Sequence, residues 1–252
     1  MAVYGQPHML AEQVYTILDY DIEVLRKLNV VIVDDCGEPQ VDVACATVLA
    51  SQVKGVKLFR VERNIPWNQM GARNLGMEHS QGHCLLIDPD MVFDGDMMAR
   101  MMKAAAKLAR GRVIKWGLKH VNSGKLDMSS PNTWLIHRDD FFAVGGYDED
   151  FAGNKGWSDV QFLDIMRGCY KIEERSDLWA HFHSTASISD AMVTSLDRST
   201  SANKKKRVKK VDQARKAGGW ARWAQTRVSA ERLRFPWTQL FPRPSETSPP
   251  KS

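Results

Sequence analysis

The sequence predicts an α/β fold in which a mostly parallel, mixed sheet is flanked by helices, and three observations carry that prediction. Short runs of strand-forming residues at 30–33 and 85–87 each end in acids, helix-period stretches lie between the runs, and no stretch has the length and apolarity of a membrane span. Asp34 and Asp35 close Val30-Val31-Ile32-Val33, and Asp88 and Asp90 close Cys84-Leu85-Leu86-Ile87. Runs that are apolar at every position suit strands covered on both faces, and ligands of open parallel sheets gather at the carboxyl ends of such strands. If those strands are neighbours, the four acids share one edge. Two Asp residues at i and i+2 can then hold a hard divalent cation, Mn²⁺ or Mg²⁺, and share it with a diphosphate; the alternative is an acidic turn.

Element by element, Ala2-Val3-Tyr4 reads as an abbreviated first strand, followed by a helix over 9–27 bearing Leu10, Val14, Ile17 and Leu18. Residues 30–33 form the second strand, 56–61 the third, 67–80 a helix, 85–87 the fourth strand and 96–108 another helix. This βαβ alternation implies parallel pairing with right-handed crossovers. The chain has 252 residues with 43% hydrophobic content, enough for one domain and an appendage. Cys36, Cys45, Cys84 and Cys169 show no Cys-x-x-Cys spacing, so neither zinc nor disulfides are indicated. The first thirty residues lack the pattern of a secretory signal, which makes a cytoplasmic location the expectation.

Four motifs occur in a definite order: Val31-Ile32-Val33-Asp34-Asp35, Gly71-Ala72-Arg73-Asn74-Leu75-Gly76, Asp88-Pro89-Asp90, and Gly145-Gly146-Tyr147-Asp148-Glu149-Asp150-Phe151 with Gly156-Trp157-Ser158-Asp159. In that order they resemble the family 2 glycosyltransferases of the GT-A fold, and the last resembles the corresponding segment of galactosyltransferase-like enzymes. The resemblance covers about residues 4–183. It implies a transferase domain over 1–184, with a nucleotide-binding half at 1–95 and an acceptor and catalytic half at 96–184. It also implies a nucleotide-sugar donor, a UDP-sugar by preference.

The resemblance assigns roles. Asp34 or Asp35 would meet the base or ribose, Asp88 the ribose or the metal, and Asp90 the metal directly. Arg73 would pair with donor phosphates through its planar fork of donors, although an Arg on such a helix is otherwise a solvated residue. Asp159 would take the acceptor's proton, which implies inversion at the sugar carbon; helix capping is its other use. Gly146, Trp157 and Ser158 would border sugar or acceptor, with Ser158 departing from the adjacent acid usual in the family. His183 would be a third metal ligand and His181 its alternate, both in Trp179-Ala180-His181-Phe182-His183-Ser184.

Residues 198–252 hold 15 Lys and Arg against 3 acids, whereas 1–197 hold 20 against 27. The division suggests an acidic body and a basic extension over 185–252, partly helical or disordered, whose partner is a polyanion. Trp220, Trp223 and Trp237 lie among Arg215, Arg222, Arg227, Arg232 and Arg234. Basic residues 198–234 could therefore meet DNA, with aromatics stacking on bases as in glycosyltransferases of some bacterial viruses, or an anionic membrane bearing a glycan acceptor. A sugar-nucleotidyltransferase is the second reading, but Tyr4-Gly5-Gln6-Pro7 is too short for a phosphate loop; a nonenzymatic nucleic-acid binder is the third, and would leave Asp88, Asp90 and Asp159 without a use.

Overall fold

The computed structural model describes residues 1–182, 196–228 and 232–243. In chain order the elements are β1 (Ala2–Val3), α1 (Pro7–Leu18), α2 (Ile22–Leu25), β2 (Asn29–Asp34), α3 (Val43–Ala50), β3 (Gly55–Val61), α4 (Gln69–Glu78), β4 (His83–Leu86), β5 (Met91–Val92), α5 (Gly95–Lys107), β6 (Arg112–His120), β7 (Leu126–Asp127), β8 (Trp134–His137), α6 (Arg138–Ala143), a 3₁₀ turn at Glu149–Phe151, α7 (Ser158–Cys169), β9 (Lys171–Phe182), α8 (Ser201–Lys216), α9 (Trp220–Arg227) and β10 (Trp237–Phe241).

The first sheet runs β1-β2-β3-β10, parallel through β3 and closed by antiparallel β10. Its strands alternate between two apolar layers. Ile32, Val56 and Leu58 face the core formed with α1 and α3, whereas Val33, Phe59 and Val61 pack with Ala72 and Leu75 of α4. Burial on both faces is why residues 30–33 carry no polar alternation.

The second sheet, in order β4-β8-β6-β9-β5 with β7 beside β6, is mixed. Only β6 and β9 run parallel; β4 with β8, β6 with β8 and β5 with β9 are antiparallel. The parallel register expected for residues 85–87 is thus replaced by an antiparallel one, because the chain returns from β6 through β7 and delivers β8 to β4 in the reverse direction. One apolar core spans both sheets, joining Ile32 and Leu58 to Ile114, Leu135 and Leu178.

The helix expected over 9–27 is two. Asp19 ends α1, and the Asp21 carboxylate accepts from the Glu23 N–H to start α2. Helix α3, which the sequence reading passed over, starts at the Asp42 carboxylate, which accepts from the Ala44 N–H.

The basic segment expected as an appendage packs on the body instead. Ala214, Trp223 and Ala224 join the core of α6 and α7. Fully buried Asn203 directs its Nδ2 at the carbonyls of Phe151, Asn154 and Gly156, 2.6–3.0 Å away. Phe235 is buried against α4, and β10 supplies the outer edge of the first sheet. Trp223 is buried, Trp220 packs beside it on the core of α6 and α7, and Trp237 meets Phe59 and His79, so all three tail indoles are engaged by the body. Among the described residues no helix is long and apolar enough to cross a membrane.

Candidate active site

The start of α4 joins the two acidic strand ends. Asn68, just before the helix, donates to Asp35 Oδ1 at 2.8 Å; Gln69 Nε2 donates to Asp88 Oδ1 at 3.0 Å; and one turn on, Arg73 Nη2 donates to the same oxygen at 2.5 Å. Trp67 takes a left-handed φ of 54° where the chain turns into this helix. The other Arg73 Nη donates to Asp159 Oδ1 at 2.9 Å and to the Tyr147 hydroxyl at 3.3 Å. One buried guanidinium therefore bridges the strand-end acid and the acid at the start of α7. Burial pulls the Arg73 pKa down, but Asp88, Tyr147 and Asp159 together raise it above its usual value.

In this arrangement both Arg73 Nη groups are taken up by carboxylates. Its buried Nε has no hydrogen-bond partner. Asp34 is also spoken for. Its carboxylate is 1% exposed, pairs with Arg60 at 2.6 Å and accepts the N–H groups of Gly37 and Val41, so it shapes the loop that follows β2. Asp35 remains the strand-end acid nearer α4, and burial pushes its carboxyl up to about 7, against the hydrogen bond from Asn68 and with Asp34 adding repulsion.

Asp90 is the least satisfied acid of the cluster. Burial, then the neighbouring Asp88, push it up to about 7, and its Oδ1 is buried without a hydrogen-bond partner. A divalent cation fits this donor set, since it would supply the missing partner of a hard carboxylate oxygen. No group of three or more His, Cys, Asp or Glu able to hold a metal occurs among the described residues. His183 lies outside them. His181 sits 3.6 Å from Asp94, four positions after Asp90.

Asp159 does not cap α7; Trp157 occupies the cap position with a left-handed φ of 69°, and Asp159 in the first turn is free to pair with Arg73. Burial raises its pKa, while Arg73 offsets part of that rise and an Asn132 hydrogen bond adds a smaller lowering. Ser158 is buried, and Trp157 is half-buried with the Arg207 guanidinium 5.4 Å from its ring centroid. Gly146 serves by its lack of a side chain. At φ 64° a Cβ would stand 2.8 Å from Asn74 Oδ1 and 2.9 Å from the Phe141 ring.

The family model "Glycosyl transferase family 2" matches residues 1–155. The chain belongs to glycosyl transferase family 2. No curated protein matches it in sequence. Among solved structures it is similar to residues 1–349 of TarS from S. aureus, at 15% identity and a TM-score of 0.55 over 80% of this chain and 66% of that one. It is also similar to GalNAc-T7, solved with UDP, GalNAc and Mn²⁺, at 15% identity and a TM-score of 0.51 over 69% and 40%. The family 2 chain therefore spans less than two thirds of either neighbour, and with both it shares the GT-A fold.

Sequence reasoning passed over several residues that build this family 2 site. Gln13 of α1 donates to the carbonyls of Pro89 and Met91 at 3.1 and 2.7 Å, fixing the backbone on either side of Asp90. A signal existed: Gln13 falls on the apolar face defined by Leu10, Val14 and Ile17, where a polar residue needs a partner. Asn74 exchanges hydrogen bonds with Tyr147 N and O and donates to Glu149, clamping the 146–149 loop to α4.

Proposed function

We propose that this family 2 chain transfers a sugar from a nucleoside-diphosphate sugar, a UDP-sugar by preference, to an acceptor hydroxyl with inversion. The observation that carries the reading is the Arg73 bridge between Asp88 and Asp159, which ties the donor-side acids to a carboxylate suited to proton abstraction. Asp35, with its raised pKa, is assigned to the base or ribose. Asp90 would hold Mn²⁺ or Mg²⁺, with Asp88 beside it and His183 as a further ligand. When bound, the cation neutralises charge growing on the leaving diphosphate.

In transfer, Asp159 takes the acceptor O–H proton, the freed oxygen bonds to the anomeric carbon from the face opposite the diphosphate, and the bond from that carbon to the diphosphate oxygen breaks. Burial suits Asp159 to this, because a carboxylate of raised pKa is the stronger base. Arg73 holds Asp88 and Asp159 apart and charged, Trp157 and Ser158 border the acceptor side, and Gly146 lets the loop beneath close on Asn74. The acceptor is a hydroxyl, on a modified DNA base or an envelope glycan.

Titration of UDP with and without Mn²⁺ into the parent protein, Asp90→Asn and Asp159→Asn tests the assignment. Metal-dependent binding is expected to vanish in Asp90→Asn and to survive in Asp159→Asn, whose transfer rate drops about 10²–10⁴-fold. Undiminished turnover in Asp159→Asn, or UDP binding indifferent to Asp90, would refute the reading.

A further inference from the structure

Helix α8 holds eight Lys or Arg residues and one acid, Asp212, and it sorts the cations by face. Three turn inward. Lys206 Nζ donates to the Asp150 carbonyl at 2.6 Å, Arg207 pairs with Asp164 at 2.5 Å, and Lys210 lies 2.7 Å from both Asp148 and Asp150. They share the packed side of the helix with buried Asn203 and Ala214. The other side is a second row. Lys204, Lys205 and Lys209 are exposed and meet no carboxylate among the described residues, Val208 stands among them 61% exposed, and Arg215 and Lys216 share Asp212 farther along. Exposed Arg222 follows on α9.

The inward cations account for the attraction between acidic body and basic segment, so the outward row is surplus to folding. We propose that this row docks the chain on an anionic lipid surface. Three features select a plane of headgroups over a nucleic acid. The helix is half sunk into the body along its length, so it can touch a flat surface tangentially but cannot enter a major groove, which receives a helix on several sides. Trp223 and Trp237 are turned into the protein, which removes two of the aromatics that base stacking would use. Val208, the one exposed apolar side chain of the row, suits shallow contact below the headgroups, while the lysines around it supply the attraction. The inference does not depend on the transfer chemistry, since none of these residues belongs to the Arg73 cluster.

Flotation of the whole protein with phosphatidylcholine vesicles, with and without about 30% phosphatidylserine, decides the matter. Binding is expected only with the anionic lipid, and it falls at least about tenfold as salt rises from about 0.1 to about 0.5 M. The triple variant Lys204→Gln/Lys205→Gln/Lys209→Gln loses about a hundredfold in partitioning, with an unchanged melting temperature because the three residues are exposed. A double change on another exposed basic face, Lys103→Gln/Lys107→Gln of α5, leaves partitioning at the parent level. Equal binding to neutral vesicles, no binding at all, equal loss in the α5 variant, or tighter binding to duplex DNA at the same salt would each overturn the proposal.

Discussion

At the scale of single residues, Arg73 decides how the candidate site holds its charge. Asp88 and Asp159 have 12% and 21% of their side chains exposed, and the guanidinium between them only 5%. Removing a cation from such a group leaves uncompensated carboxylates, so Arg73→Met is expected to cost about 3–5 kcal/mol in a urea melt. Asp159→Asn in the same background recovers part of that loss through coupling. A parent-like melt for Arg73→Met would remove the hub from the account. Asp35 gives a pH signature. Its folded pKa of about 7 lies above the ordinary carboxylate value, so the native state keeps a proton that the unfolded chain releases, and stability falls as pH climbs from about 4 to about 7. Asp35→Asn should flatten that decline, visible as melting temperatures that converge with the parent near pH 4 and exceed it near pH 7.5. Acids closing the apolar runs at 30–33 and 84–87 drew attention to Asp35, Asp88 and Asp90, and the family resemblance to Asp159. They could not separate Asp34 from Asp35. The difference is made by Arg60 and by two backbone N–H groups of the loop, contacts that exist only once the strand end is folded.

At the scale of elements, β2, β3, α4 and α5 were legible to within a few residues, since each follows its own period of apolar positions. The pairing of β4 was not legible. An apolar run reads alike whether its neighbour runs parallel or antiparallel, and the neighbour here is set by the return from β6 to β8. Helix α8 shows a second limit: its lysines announced charge, but the sorting of that charge into inner and outer rows depends on Asp148, Asp150 and Asp164 on distant segments. Asn203 tests how firmly the inner face is held. Asn203→Ala leaves the carbonyls of Phe151, Asn154 and Gly156 without their shared donor, an expected cost of about 2 kcal/mol by chemical denaturation. Because those carbonyls lie in the loop leading to Trp157 and Asp159, the same variant should lower transfer rate more than donor affinity.

At the scale of the whole molecule, the contrast between an acidic body and a basic segment describes an internal fit rather than two independent parts. Deleting residues 201–252 would bare Phe162 and Met166 of α7, which share a core with Ala214 and Trp223, and would strip the partner strand from β3. The expected result is an aggregating or unfolded product by light scattering and circular dichroism. A soluble truncation that still melts cooperatively would show the segment to be dispensable. About a fifth of the chain therefore escaped a composition-based reading of boundaries: charge and Ser/Thr content mark where the chain changes character, and buried area decides where the structure stops.

Laying β10 on β3 joins a strand synthesised late to one synthesised early. Until residue 241 has left the ribosome, the rim of the first sheet carries a row of unused N–H and C=O groups, the surface on which a foreign strand can add itself. A nascent chain halted near residue 232 is accordingly exposed to strand addition at β3 until β10 arrives.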